Sequence, residues 1–396
     1  MSKTIENQIR ETVDSLAPDF IATRHFLHQN PELSDQERKT SALVAERLRA
    51  FGIDEVRTGV GGHGVVGTLH GTAASSQARK LVALRADMDA LPIQETNDVE
   101  YKSCVPGVMH ACGHDGHTST LLGTAAVLAR LREELPGSVR FIFQPAEETV
   151  DGAVRMCAEG VMEGVTAIAA LHGWPGMAVG RIGVRSGAMM ASSDTWDLTI
   201  KGKGAHAAYP HLSIDPIVIG AQIVAALQTV SSREISPVEP VVVTVAQFHA
   251  GTAYNIIPGI AEIKGTCRCL SPELRKTMAQ RLERIAAGIC SAMGAEYEFK
   301  YKYGTPVTYN NPDITQLLSE IGAECLGAEN VVNLEHPSMG AEDFACYLDY
   351  APGAMFRLGV GVEMTALHTP TYNFADGAVP KGMEMFARFA MRVLQG

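Results

Sequence analysis

The sequence predicts an α/β protein, a mostly parallel sheet with flanking helices, into which a smaller ferredoxin-like α+β unit is inserted. Short apolar strands alternate with helical stretches, the pattern of a parallel sheet covered on its faces. Between about 184 and 303 the order changes to β-α-β-β-α-β, the split βαβ arrangement. A chemistry-bearing segment, Leu367-His368-Thr369-Pro370, follows that unit, so the unit is read as inserted and not appended. The expected division is 1–184 for the first part of the larger domain, 185–303 for the insertion and 304–396 for the second part. A length of 396 residues agrees with two domains.

Taken in order, residues 5–51 read as two helices separated by Pro31 and Ser34, with Phe51-Gly52 ending the second. His25 and His28 fall on one helical turn and are read as structural, because no carboxylate or cysteine accompanies them. Strands are expected at 64–70 and 80–87, the second ending in Asp87-Met88-Asp89-Ala90-Leu91-Pro92. Then comes Met-His-Ala-Cys-Gly-His-Asp-Gly-His, 109–117, in a loop before a helix whose apolar spacing runs over 118–135. A strand at 138–143 breaks at Gln144-Pro145 and delivers Glu147-Glu148. A helical stretch to about Gly160 and a strand at 167–171 lead to His172-Gly173-Trp174-Pro175. The insertion reads as strand 195–201, helix 216–231, strands 241–248 and 260–269, helix 272–293 and strand 296–303. A last short strand at 354–358 leads through a Gly-rich turn to His368.

Composition narrows the function classes. The net charge of −11 and a pI near 5.6 leave no electrostatic basis for binding nucleic acid. No apolar leader opens the chain and no charge-free stretch is long enough to span a bilayer, so a cytoplasmic protein without membrane partners is expected. The eight cysteines lie at irregular separations, and a disulfide framework is not expected. Cys267 and Cys269 alternate along a strand and are read as two small residues on one face.

Four buried strands thus lead to candidate ligand or acid–base groups, and in parallel sheets sites gather at the carboxyl ends of strands. Cys112 and His114, one residue apart on a backbone that Gly113 frees from helix, can meet one cation. In Glu147-Glu148, adjacent carboxylates point differently, so one can bind metal while the other serves as a general base. Asp87 and Asp89 can ligate metal or orient a ligand histidine. With Cys112, His114, Glu148, His172 and His368, the donors exceed one tetrahedral ion, and two adjacent cations sharing a ligand use them all. Mixed S, N and O donors suit Zn²⁺, and Mn²⁺, Co²⁺ or Ni²⁺ are also compatible. In the insertion, Arg268 can hold a substrate carboxylate, while His206 and Asn255 can donate to a developing oxyanion.

These segments resemble the M20 metallopeptidase superfamily, in its amidohydrolase branch of hippurate hydrolases, N-acyl-amino-acid amidohydrolases and auxin-conjugate hydrolases. The resemblance runs nearly end to end. It rests on Arg24-His25-Phe26-Leu27-His28 with Pro31-Glu32-Leu33-Ser34, on Arg85-Ala86-Asp87-Met88-Asp89-Ala90-Leu91-Pro92 and on His110-Ala111-Cys112-Gly113-His114-Asp115. The Glu147-Glu148 pair, Gly204-Ala205-His206-Ala207-Ala208 and Leu367-His368-Thr369-Pro370 complete it. It implies a catalytic domain with a dinuclear metal site and an inserted lid or dimerisation domain, giving a homodimer or homotetramer. Cys112, His114, Glu148, His172 and His368 are then the metal ligands, and Glu147, with Asp89 and His206, the catalytic group. Asn255, Arg268 and His206 contact substrate, His206 often reaching the partner subunit's site. At Asp87, where the wider superfamily has a histidine ligand, and at His114, where it has a bridging aspartate, the chain follows the amidohydrolase branch.

The expected reaction is hydrolysis of an N-acyl-amino acid, with Glu147 activating a metal-bound water, to a carboxylic acid and a free amino acid. The runner-up is a dipeptidase or aminopeptidase of the same superfamily, for which Glu342 is an available partner of a substrate ammonium. A non-catalytic metal-binding protein is the remaining alternative, but it has no use for Glu147 beside Glu148.

Overall fold

The computed structural model describes residues 1–74 and 79–396, which form two compact units. The first comprises Met1–Met189, Tyr309–His336 and Asp343–Gly396, the second Met190–Thr308 and Pro337–Glu342.

The first unit is built on an eight-stranded sheet. Its strand order is Glu55–Val60, Gly64–His70, Ser138–Gln144, Leu81–Asp87, Val165–Trp174, Gly353–Gly359, Ile182–Val184 and Val331–Asn333. The four adjacent strands from Ser138–Gln144 to Gly353–Gly359 run parallel, and antiparallel pairs extend the sheet outward from both sides of this block. Runs such as Leu-Val-Ala-Leu-Arg-Ala suit those positions because a central strand is covered on both faces. Helices Lys3–Gln29, His114–Arg130 and Ala378–Gln395 pack together, and Leu121, Phe356, Met383 and Phe386 belong to one core.

The sequence reading names neither the sheet strands Ile182–Val184 and Val331–Asn333 nor the helices Pro312–Leu326 and Ala378–Gln395, and three further differences concern the elements around the site. The sequence reading misses Glu55–Val60, whose mostly exposed residues pair only at the sheet edge, so no buried alternation marks it. Val165–Trp174 runs through His172 instead of stopping before it. The helix expected from 118 begins at His114, because His114, Asp115 and His117 are buried through polar pairing and escape an apolar pattern.

In the second unit, strands Val241–Ala250, Ile260–Cys269, Ser193–Lys201 and Glu296–Thr305 form an antiparallel sheet in that order. Helices Pro216–Thr229 and Pro272–Ala292 share a core with it, in the ferredoxin-like arrangement. Burial alternates along Ile260–Cys269, and its inward face carries Ile263, Cys267 and Cys269, so both cysteines are core residues. Among the described residues, no helix is long and apolar enough to cross a membrane.

Candidate metal centre

At the carboxyl ends of the first unit's parallel strands, the predicted donors converge. Ligand atoms of Cys112, His114 and His172 lie within 4.8 Å of one another, as do those of Cys112, Glu148 and His368, so Cys112 is common to both triplets. A third group joins His114 to Glu147 and Glu148. Gly113 makes the approach possible. Its φ is +86°, and a Cβ there would sit 2.7 Å from the Tyr372 hydroxyl oxygen.

Hydrogen bonds aim the rings. His114 Nδ1 donates to the Asp89 carbonyl at 2.9 Å, with Asp89 Oδ1 at 3.1 Å, and its buried Nε2 has no hydrogen-bond partner among the described residues. His172 Nδ1 donates to the Gly173 carbonyl at 2.8 Å, leaving Nε2 3.5 Å from Cys112 Sγ. These arrangements place the ring lone pairs toward the cluster, as a metal-ligating histidine requires. Asp89 Oδ2 also accepts from Ser34 Oγ at 2.7 Å and from the Glu148 backbone N–H at 3.0 Å, tying His114 and Glu148 to one carboxylate. His368, whose φ is +60°, donates its backbone N–H to Ala111 and sets Nε2 3.3 Å from Glu148 Oε1.

The donor chemistry fits divalent cations. Burial and the carboxylates of Glu148, Glu147 and Asp87 push the Cys112 thiol well above its usual range, and a cation in their midst removes that penalty. Burial and the neighbouring His117 push His172 down to about 3, so it is neutral and able to ligate.

Asp87 and His117 form a further group with His114, their ligand atoms within 4.8 Å of one another, and both are also engaged in hydrogen bonds. His117 accepts from the Gly173 N–H at Nε2, 2.8 Å, which leaves its proton on Nδ1 facing Asp87 Oδ1 at 2.7 Å, so both ring nitrogens are engaged. Asp87 is gripped by that histidine and by Arg85 at 2.6 Å, and Arg85 in turn reaches Gln144 and Asp343. Although burial alone would raise its pKa, His114 and Arg85 hold the Asp87 carboxyl well below the usual carboxylate range. Asp87 thereby orients the strand end. His110 stays outside the triplets, buried and neutral, pushed down to about 4 chiefly by burial.

A correction concerns His28 and His25, which do have carboxylate partners, supplied from distant segments. His28 Nδ1 and Nε2 sit 2.9 Å from Asp115 and 3.1 Å from Glu95, and Arg24 meets Asp115 at 2.9 Å. His25 meets Asp376 at 2.9 Å. Asp115 directly follows His114, so this clamp fixes the start of the helix that carries the cluster.

Sequence reasoning overlooked Glu37. Its buried carboxyl accepts from the Ala146 N–H at 2.8 Å and from the Asp35 N–H at 3.1 Å. Ala146 and Val150 take left-handed φ values of +53° and +56° on either side of Glu147-Glu148. A Cβ on Gly152 would lie 1.7 Å from the Pro145 carbonyl oxygen, so only glycine closes this turn.

His206, Asn255 and Arg268 belong to the second unit. His206 is exposed on a two-residue strand paired with Ile256–Ile257, its Nδ1 accepting from the Ala208 N–H at 3.1 Å. The Asn255 carbonyl accepts from the Ala207 N–H at 3.0 Å. Arg268 lies half-buried on Ile260–Cys269.

The model of peptidase family M20/M25/M40 matches residues 83–392. The chain is 48% identical over 300 residues to an N-acyl-L-amino acid amidohydrolase of Geobacillus stearothermophilus, covering 76% of this chain and 80% of that protein. It is 42% identical to thermostable carboxypeptidase 2 of Saccharolobus solfataricus, over 93% and 92% of the two chains. The crystal structure of the Bacillus subtilis YXEP protein, described as a dinuclear metal-binding peptidase from the M20 family, superposes with a TM-score of 0.85. It is 37% identical and covers 96% of this chain and 99% of that one. With the family model spanning most of its length and these relatives matching three quarters or more of it, the chain belongs to peptidase family M20/M25/M40 and is a hydrolase.

Proposed function

We propose that the chain is a metal-dependent amidohydrolase that cleaves N-acyl-amino acids, hippurate-like or N-acetyl, to a carboxylic acid and a free amino acid. The observation that carries this reading is the convergence of Cys112, His114, Glu148, His172 and His368 in two triplets that share Cys112. In this reading those five residues hold two divalent cations per chain, Zn²⁺, Mn²⁺, Co²⁺ or Ni²⁺. Bound there, the cations supply Lewis acidity toward the scissile carbonyl and lower the pKa of water.

The chain's own groups do the rest. Glu147 takes a proton from the attacking water and passes it to the leaving amine. Asp89 keeps His114 and the Glu148 backbone in register through its two oxygens. From the second unit, His206 donates to the developing oxyanion, while Asn255 and Arg268 receive the substrate carboxylate. A homodimer or homotetramer is part of the same reading.

A second reading, a dipeptidase or aminopeptidase, is favoured by the match to peptidase family M20/M25/M40 and by the peptidase among the solved structures. One experiment separates the two. Metal-free protein, reconstituted separately with each cation, is assayed on hippurate, N-acetyl-amino acids and plain dipeptides, beside Glu147→Gln. Turnover of the N-acyl compounds, with a loss of at least about a hundredfold in the variant at unchanged metal content, is expected. Preference for dipeptides moves the assignment to a peptidase, and full turnover by the variant removes Glu147 from its role.

A further inference from the structure

Four arginines are buried among the described residues, namely Arg24, Arg85, Arg357 and Arg388. Three of them are neutralised by the protein. Arg24 meets Asp115 and Asp376, Arg85 meets Asp87 and Asp343, and Arg388 meets Glu384. Arg357 is 9% exposed, makes no ion pair among the described residues, and buries its Nε without a hydrogen-bond partner. An unpaired buried cation is costly, so what the site gains from it needs a source.

Its placement suggests the source. Arg357 lies in register with His172 on the neighbouring parallel strand, so the two side chains leave the same face of the sheet. The guanidinium carbon stacks 3.6 Å over the Trp174 ring centroid, and that ring stands edge-on to His172 at 5.9 Å. One indole therefore separates a preoriented guanidinium from a member of the metal-donor cluster. Stacking on an aromatic face fixes the plane of the fork and leaves its edge for a planar anion. A carboxylate is such an anion, and an N-acyl-amino acid carries one two bonds beyond the scissile nitrogen.

We propose that Arg357, held flat by Trp174, forms a subsite that binds a carboxylate of the substrate beside the metal-donor cluster. The inference rests on the amide-hydrolase reading for the identity of the substrate, and on geometry for the anion. Where that carboxylate is the α-carboxylate of the amino acid, Arg357 replaces Asn255 and Arg268 in receiving it, and where it is one on the acyl group, Arg357 acts beside them; the test distinguishes the two.

Calorimetric binding is measured on Glu147→Gln protein, with and without Arg357→Met, using N-acetyl-leucine, N-acetyl-leucinamide and N-succinyl-leucinamide. With Arg357 present, one of the two carboxylate compounds is expected to bind about tenfold or more tighter than the neutral amide, the scale of a charge-assisted hydrogen bond. Arg357→Met, which keeps an apolar stem over Trp174, is expected to erase that advantage and leave N-acetyl-leucinamide within about twofold. Loss confined to N-acetyl-leucine assigns the α-carboxylate, and loss confined to the succinyl compound assigns the acyl side. Equal weakening of all three, or no change in any, overturns the subsite. Arg357→Gln carries the same comparison if the methionine variant does not fold. Absence of hydrolysis of any N-acyl compound by otherwise unmodified protein defeats the amide-hydrolase reading separately, since the binding comparison still reports on Arg357.

Discussion

A backbone group decides where each histidine at the centre of the first unit keeps its proton. The carbonyls of Asp89 and Gly173 draw the protons of His114 and His172 to Nδ1, and the Gly173 N–H, by donating to His117 Nε2, leaves the His117 proton on Nδ1 as well but occupies its second nitrogen. The motif from Met109 to His117 shows which residue types are present, but not which nitrogen is committed, because the partners lie on other strands. Glu37 is the plainest case of a role that no local pattern reveals, since it binds a backbone N–H 109 residues later. Its carboxyl, pushed up to about 7 by burial, holds Ala146 in the left-handed turn that presents Glu147 and Glu148. Glu37→Ala is expected to lower kcat by at least about tenfold with KM little changed, because small misplacements of catalytic groups are expensive. Glu37→Gln, which keeps an acceptor, should recover most of it, and equal losses in both variants would contradict a positioning role.

At the scale of elements, the first helix and the helix beginning at His114 are joined by a buried clamp of Arg24 and His28 on Asp115. The histidines are read as structural for want of a neighbouring acid, and the structure supplies acids to both. Those acids were not legible in the sequence, since Asp115 and Glu95 stand 87 and 67 residues from His28. Burial alone would depress His28, but Asp115 and Glu95 outweigh it and raise the imidazolium to about 8. A histidine whose folded pKa exceeds its unfolded value of 6.5 contributes stability that is fully present below pH 6.5 and is lost as the pH rises through 8. That contribution is about 2 kcal/mol. Denaturant melts between pH 6 and 9 should show this loss in the parent protein, and a flatter profile in His28→Gln. An identical slope in the variant would remove His28 from the account.

For the whole molecule, periodicity made the second unit and the central strands legible, whereas the helices Pro312–Leu326 and Ala378–Gln395 went unnamed. The strand expected at 260–269 occurs as Ile260–Cys269, and the β-α-β-β-α-β order of the second unit is as read. Legibility failed where burial is irregular or polar, as at the exposed edge strand Glu55–Val60 and at the helix start His114-Asp115. The candidate donors stand out in the sequence because Cys112-Gly113-His114 precedes a helix, Glu147-Glu148 follows a strand and His172 lies near the end of one. Arg357 does not, since an arginine inside an apolar strand carries no motif and its meaning lies in the missing counter-charge. If Cys112 joins the two triplets into one dinuclear centre, the number of metal ions held per chain depends on its thiolate. Elemental analysis of protein reconstituted with Zn²⁺ or Mn²⁺ and freed of excess ion should give two ions per chain, falling to one or none in Cys112→Ser. No bound ion, or two ions held equally well without the thiolate, would contradict it.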